Sequence, residues 1–119
     1  MKNQNIEPPI SKVTMQLQTV LTQQIVAYSI GFDDGRDIGK IAREEIVPSP
    51  EIEEKLRFLS CVVEILKSSD GDQTIRSWML GMKDWLNDES PASIIRTGDP
   101  KSKELESILE SARAFVLTG

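Results

Sequence analysis

From Ser11 onward, apolar residues recur three and four apart, the spacing of amphipathic helices. The clearest run spans 50–68. Ile52, Leu56, Leu59, Val63 and Leu66 form one stripe, and Phe58, Val62 and Ile65 form a second beside it. At about 100° per residue the joint face covers about half the cylinder. Glu53, Arg57, Ser60, Glu64 and Lys67 fill the remainder. So wide a face predicts packing against two sets of neighbours, and the run reads as a spine helix. A last helix from about Pro100 to Val116 places Leu105, Ile108, Leu109, Ala112, Phe115 and Val116 on one side. Between the two, a turn at Asp70-Gly71-Asp72 leads to a dense apolar patch of Trp78, Met79, Leu80 and Met82, ending near Trp85. Alternation is weak and β-branched residues fall at helical spacing, so no strand is predicted.

Helix starts are the most regular local signal. Ser49-Pro50, Ser90-Pro91 and Asp99-Pro100 each offer a side-chain oxygen at the N-cap and a proline at the first helical position. The oxygen satisfies an orphan amide, and proline has no amide to orphan. Thr22 opens another helix, with Leu21 and Val26 placed as a hydrophobic staple. Gly98 sits where a left-handed residue would close the short helix after Pro91. Residues 1–10, with Pro8 and Pro9, read as a flexible arm. The predicted fold is all-α: a small helical bundle in which a module at 11–49 is joined through the spine to a module at 50–119.

Composition narrows the chemistry. The chain has 119 residues, no histidine and one cysteine, Cys61. Catalysis by Ser-His-Asp or Cys-His pairs, histidine-ligated metals and internal disulfides are excluded. Cys61 lies at the margin of the spine's apolar face and reads as a buried or half-buried apolar residue. No run is long enough to span a membrane, and the N-terminus lacks the apolar core of a signal peptide, so a cytoplasmic protein is expected. The net charge is −5: 5 basic and 6 acidic side chains in residues 1–50, then 9 and 13 in 51–119. Indiscriminate coating of a polyanion is disfavoured.

Four constellations are candidates for chemistry. Residues 22–45 combine a short helix, the small Ala27, a turn glycine at Gly31, an apolar Phe32 and a second helix from about Asp34. These are the devices of a helix-turn-helix. With Ile38 and Ile41 facing inward, Arg36, Lys40 and Arg43 project on one face as candidate DNA contacts. Asp33, Asp34 and Asp37 oppose that reading, and a tri-helical packing module with a solvated basic face is the alternative. The series Gly31, Gly35, Gly39 lacks the preceding strand and Gly-Lys-Ser/Thr end of a phosphate loop. The acids Asp70, Asp72, Asp84, Asp88 and Glu89 lack calcium-loop spacing and read as caps and turns. The Trp78–Met82 patch with Phe115 and Val116 reads as core, part of it a candidate interface rich in Trp and Met.

Ser77-Trp-Met-Leu-Gly-Met82, Ser90-Pro-Ala-Ser-Ile-Ile95, Gly98-Asp99 and Ala112-Arg-Ala-Phe-Val116 resemble the toxin-binding domain of the Xre/MbcA/ParS antitoxin family. Gln24-Ile-Val-Ala-Tyr-Ser-Ile-Gly31 and Pro48-Ser-Pro50 resemble the Xre-like helix-turn-helix that precedes it. Family members often carry an aromatic at the position of Ile41 and a less glycine-rich recognition helix. The resemblance implies a non-enzymatic antitoxin that blocks the active site of a RES-domain, NAD-consuming toxin and binds its own promoter as a homodimer or in a larger complex with the toxin. It implies partner contacts at the end of the last helix and tail, Phe115 to Gly119, including Val116 and Leu117, supported by Trp78 and Met82. No cofactor, metal or catalytic residue is expected. A stand-alone DNA-binding regulator and a protein-interaction adaptor with a degenerate helix-turn-helix remain as alternatives.

Overall fold

Side-chain oxygens start the helices where the sequence places them. Ser49 Oγ accepts from the Ile52 amide at 3.3 Å and Ser90 Oγ from the Ser93 amide at 3.1 Å. Thr22 Oγ1 accepts from the Ile25 amide at 3.4 Å, with Leu21 and Val26 of the staple both fully buried. The computed structural model describes residues 7–118. It contains α1 (Ile10–Leu21), α2 (Gln23–Ile30), α3 (Arg36–Ala42), α4 (Pro50–Lys67), α5 (Asp72–Leu80), a 3-10 helix (Asp84–Leu86), α6 (Pro91–Thr97) and α7 (Lys103–Thr118). The only β pairing among the described residues is an isolated bridge between Lys83 and Glu89. The fold is all-α.

The spine is α4. Leu56, Leu59, Val62, Val63 and Leu66 are buried, and Ile52, Phe58 and Ile65 are partly so. It packs on α1 and on α7, the two sets of neighbours its wide face requires. One hydrophobic cluster runs from Val13 through the α4 residues to Ala112. Because α1 also touches α5, and α2 touches α6, the two expected modules meet in a shared core. Gly31 ends α2 in the left-handed conformation at φ +92°, where residues with a Cβ are strained. No helix among the described residues is long and apolar enough to cross a membrane.

Four sequence expectations are corrected. Asp99-Pro100 does not open α7. Asp99 Oδ1 accepts from the Lys101 amide at 2.9 Å and forms a turn, while Ser102 Oγ caps the helix through the Leu105 amide at 3.3 Å. Gly98 is extended (φ −94°, ψ 168°), not left-handed. Its missing side chain serves packing instead: a Cβ would meet the Leu105 side chain and lie 2.8 Å from the Ile94 carbonyl oxygen. Cys61 is exposed, not buried. The helix expected from Asp34 begins at Arg36, because Asp34 Oδ1 instead accepts from the Arg36 amide at 2.9 Å. Of the expected arm, residues 1–6 lie outside the described residues. Pro8 is fastened to α4, its carbonyl oxygen accepting from Arg57 Nη1 at 3.0 Å.

Helix C-termini are closed by cations from elsewhere in the chain. Arg76 Nε donates to the Val20 carbonyl at 2.6 Å at the end of α1, and Arg96 Nη1 to the Tyr28 carbonyl at 2.8 Å near the end of α2. Lys83 Nζ donates to the Trp78 carbonyl at 3.0 Å in α5, and Lys55 Nζ to the Arg96 carbonyl at 2.6 Å in α6. Burial holds both lysines below the usual lysine pKa, with Arg96 adding to the effect at Lys55. Removing a charged donor from a partly buried carbonyl costs about 1.5–3 kcal/mol. Arg76→Met is therefore expected to lose about that much stability in urea unfolding followed by circular dichroism. Gly98→Ala is expected to lose at least about 1 kcal/mol from overpacking. Gly71→Ser, where a Cβ meets nothing within 4 Å, is expected to lose none.

Candidate functional site

Two surfaces carry the sequence-predicted residues. The first is α3. Ile38 and Ile41 are buried, so Arg36, Lys40 and Arg43 do project outward, with side chains 85%, 48% and 59% exposed. Each base is already matched to an acid. Arg36 Nη2 lies 2.8 Å from Asp34 Oδ2, Lys40 Nζ 3.8 Å from Asp37 Oδ1, and Arg43 Nε 2.7 Å from Glu45 Oε2. The Arg36 guanidinium, followed by its backbone amide, holds the Asp34 carboxyl down at about 2. The Arg43 guanidinium likewise lowers Glu45, and the Glu45 carboxylate raises Arg43. Residues 33–45 hold three bases and five acids, so this face is net acidic. A phosphate would have to displace a carboxylate from each base, and the counterion release that drives DNA binding would be small. Gly39 is buried because α3 presses on α2: a Cβ there would lie 2.7 Å from Gln23 Nε2.

The second surface joins the segment after α5 to α7. Lys83 and Glu89 pair through the Lys83 amide and Glu89 carbonyl at 3.0 Å, and the Asp88 amide donates to the Lys83 carbonyl at 2.9 Å. Asn87 and Asp88 sit at φ +56° and +63°, a turn that short polar residues tolerate. Leu86 is buried and anchors the loop, while Trp85 stands out at 66% exposure. Its indole Nε1 donates to Ser111 Oγ on α7 at 2.7 Å. Trp85, Ser107, Glu110, Ala114, Phe115 and Thr118 are among the residues that line an open groove of about 530 Å³.

The expected partner residues separate around this groove. Phe115 lines it. Met82 and Leu117 are exposed at 78% and 85%. Val116 is half-buried and packs on the core. Trp78 is only 5% exposed, so its role is support: its ring lies 6.4 Å from that of Phe115, tilted by 53°, and Lys83 Nζ sits 5.1 Å from its centroid. Gly119 lies outside the described residues. Trp85 is a site residue that the sequence pattern does not single out. Its signal was the pairing of two tryptophans in one short segment, but periodicity does not tell which of them faces water.

No protein-family model, curated protein or solved structure matches this chain. Elsewhere, Cys61 has its thiol pKa raised by partial desolvation and by Glu64, so it is a weak nucleophile at neutral pH.

Two outcomes are expected. In an NMR titration Asp34 should titrate near 2 and return toward 3.8 in Arg36→Ala. Because the folded value is depressed, the stabilising contribution of the pair is complete above the ordinary value and lost as pH falls through about 2. For the indoles, Trp85→Phe should shift fluorescence emission to the blue and remove most acrylamide quenching, leaving the shielded Trp78 as sole emitter.

Proposed function

We propose that this chain is a non-catalytic, antitoxin-type protein-binding module whose α5–α7 surface docks on a partner enzyme and blocks its active site. The observation that carries the reading is Trp85. A large aromatic side chain exposed to water and held in one orientation, by Ser111 on one side and a bridged loop on the other, has the form of a docking anchor. Phe115 beside it in the groove, with Met82 and Leu117 exposed nearby in sequence, supplies the aromatic and methionine surface favoured at the centre of interfaces. The resemblance of Ser77–Met82, Ser90–Ile95 and Ala112–Val116 to a toxin-binding domain names the partner class: a RES-type, NAD-consuming toxin. The mechanism is steric occlusion, which needs contact area rather than a nucleophile, base or metal.

Promoter binding takes second place in this reading. The exposure of Arg36, Lys40 and Arg43 on one helix favours it, and their pairing with Asp34, Asp37 and Glu45 works against it.

The test is co-expression with a RES-type toxin. Stable co-purification and rescue of growth are expected, with Trp85→Ala and Phe115→Ala each weakening the complex by more than about tenfold, as truncated anchors do. Arg36→Ala with Lys40→Ala should leave the complex unchanged. Failure to associate, or indifference to both aromatic substitutions, would overturn the assignment.

A further inference from the structure

The groove beside Trp85 offers more than apolar contact. Two aromatic rings line it, those of Trp85 and Phe115, together with Glu110, the one charged residue of its lining among the described residues. Glu110 is exposed and is in no ion pair among the described residues, unlike Asp34, Asp37 and Glu45 around α3. The loop that carries Trp85 adds Asp84 and Asp88, both exposed and likewise outside any such pair. Lys83, the base nearest to Trp85 in sequence, has its ammonium engaged by the Trp78 and Gly81 carbonyls. The single hydrogen-bond donor of the Trp85 side chain is engaged by Ser111 Oγ, and the ring stays largely open to water. What it still offers an occupant is a π surface.

Each class of occupant meets these groups differently. An acidic side chain is repelled by Glu110 and by the negative faces of the rings. An aliphatic one covers Glu110 and leaves a desolvated carboxylate without a mate. A lysine ammonium matches the charge, but it is compact and strongly hydrated. An arginine guanidinium is planar, weakly hydrated and always charged, so it stacks on an aromatic face and presents a fork of N–H donors to a carboxylate. We propose that the Trp85 groove receives an arginine side chain of the partner protein, its guanidinium against the Trp85 ring and paired with Glu110. Trp85 is then the platform and Glu110 the residue that sets the charge of what docks there. Asp84 and Asp88 extend the negative potential that draws a basic surface in. The proposal rests on the reading of this groove as a docking surface and names the chemistry that the surface selects.

The test needs no partner protein. The full chain is titrated with the end-blocked tripeptide Gly-Arg-Gly and followed by NMR at the Trp85 indole N–H and the backbone amides of α7. Gly-Lys-Gly and Gly-citrulline-Gly serve as comparators, citrulline keeping the planar shape without the charge. Saturable millimolar binding of the arginine peptide is expected, tighter than that of the lysine peptide, with the citrulline peptide weakest. Glu110→Gln is expected to weaken arginine binding about threefold, the scale of an exposed ion pair, and Trp85→Ala to abolish it. Glu106→Gln removes the same charge one turn earlier on α7, outside the groove, and is expected to leave binding unchanged. Glu106, Glu110 and Trp85 are exposed, and circular dichroism of each variant confirms that it is folded. No shift at the groove, equal binding of the citrulline peptide, or indifference to Glu110→Gln would overturn the proposal. So would a complex with the co-expressed toxin that needs Trp85 but tolerates Glu110→Lys, and that result would leave the docking role standing. Arginine-selective peptide binding by a chain that ignores the toxin would support the proposal and overturn only the toxin as partner.

Discussion

The fold depends on how its helices end. Backbone carbonyls at a helix C-terminus have no partner within the helix and carry the negative end of its dipole. In this chain α1, α2 and α5 have no basic residue in their own last turn. For α1 and α2 the deficit is met across the structure, by Arg76 and Arg96, and Lys55 likewise bonds a carbonyl at the end of α6. Arg96 adds its guanidinium over the Tyr28 ring at 4.8 Å. Each contact ties residues more than forty positions apart, so local capping and long-range packing become one requirement. This is the physical reason that two modules separable on paper form one core.

It also explains which parts of the fold were legible in the sequence. N-caps are local: Ser49, Ser90 and Thr22 bond amides three residues ahead, and their spacing is visible in a one-dimensional string. The stripes on α4 are visible for the same reason. C-caps supplied from elsewhere are not, since nothing near Val20 announces Arg76. Where a local signal failed, a non-local contact had overridden it. Leu105 packs beneath Gly98, the chain stays extended there, and Asp99 turns to the Lys101 amide while Ser102 takes over the cap. The candidate surfaces follow the same division. That α3 would project its bases was readable from Ile38 and Ile41. That each base had an acid two or three positions away was present in the string as well, but ion pairing there depends on rotamers that spacing does not specify.

Charge is therefore distributed with a consequence for function. The three bases of the α3 face are matched by acids on the same or adjacent turns, and these solvent-exposed pairs add little stability. Their effect is to lower the potential the surface offers a polyanion. The half-buried bases at helix ends, by contrast, are structural and bond backbone carbonyls. Neither group is free to gather phosphate, which is consistent with the apolar docking surface proposed above.

Lys83 shows how fold and recognition meet. Its ammonium bonds the carbonyls of Trp78 and Gly81 and sits over the Trp78 ring, closing α5. Its backbone pairs with Glu89 and Asp88 and opens the loop that displays Trp85. Trp78 in turn lies against Phe115, which lines the groove beside Trp85. One side chain thus connects the end of a helix, the buried indole behind the groove and the loop carrying the exposed indole. Ordering a flexible aromatic on binding costs conformational entropy, and an anchor fixed beforehand avoids that cost. The half-buried position of Lys83, held below the usual lysine pKa by desolvation, is then the structural cost of fixing Trp85 in the orientation that its proposed docking role uses.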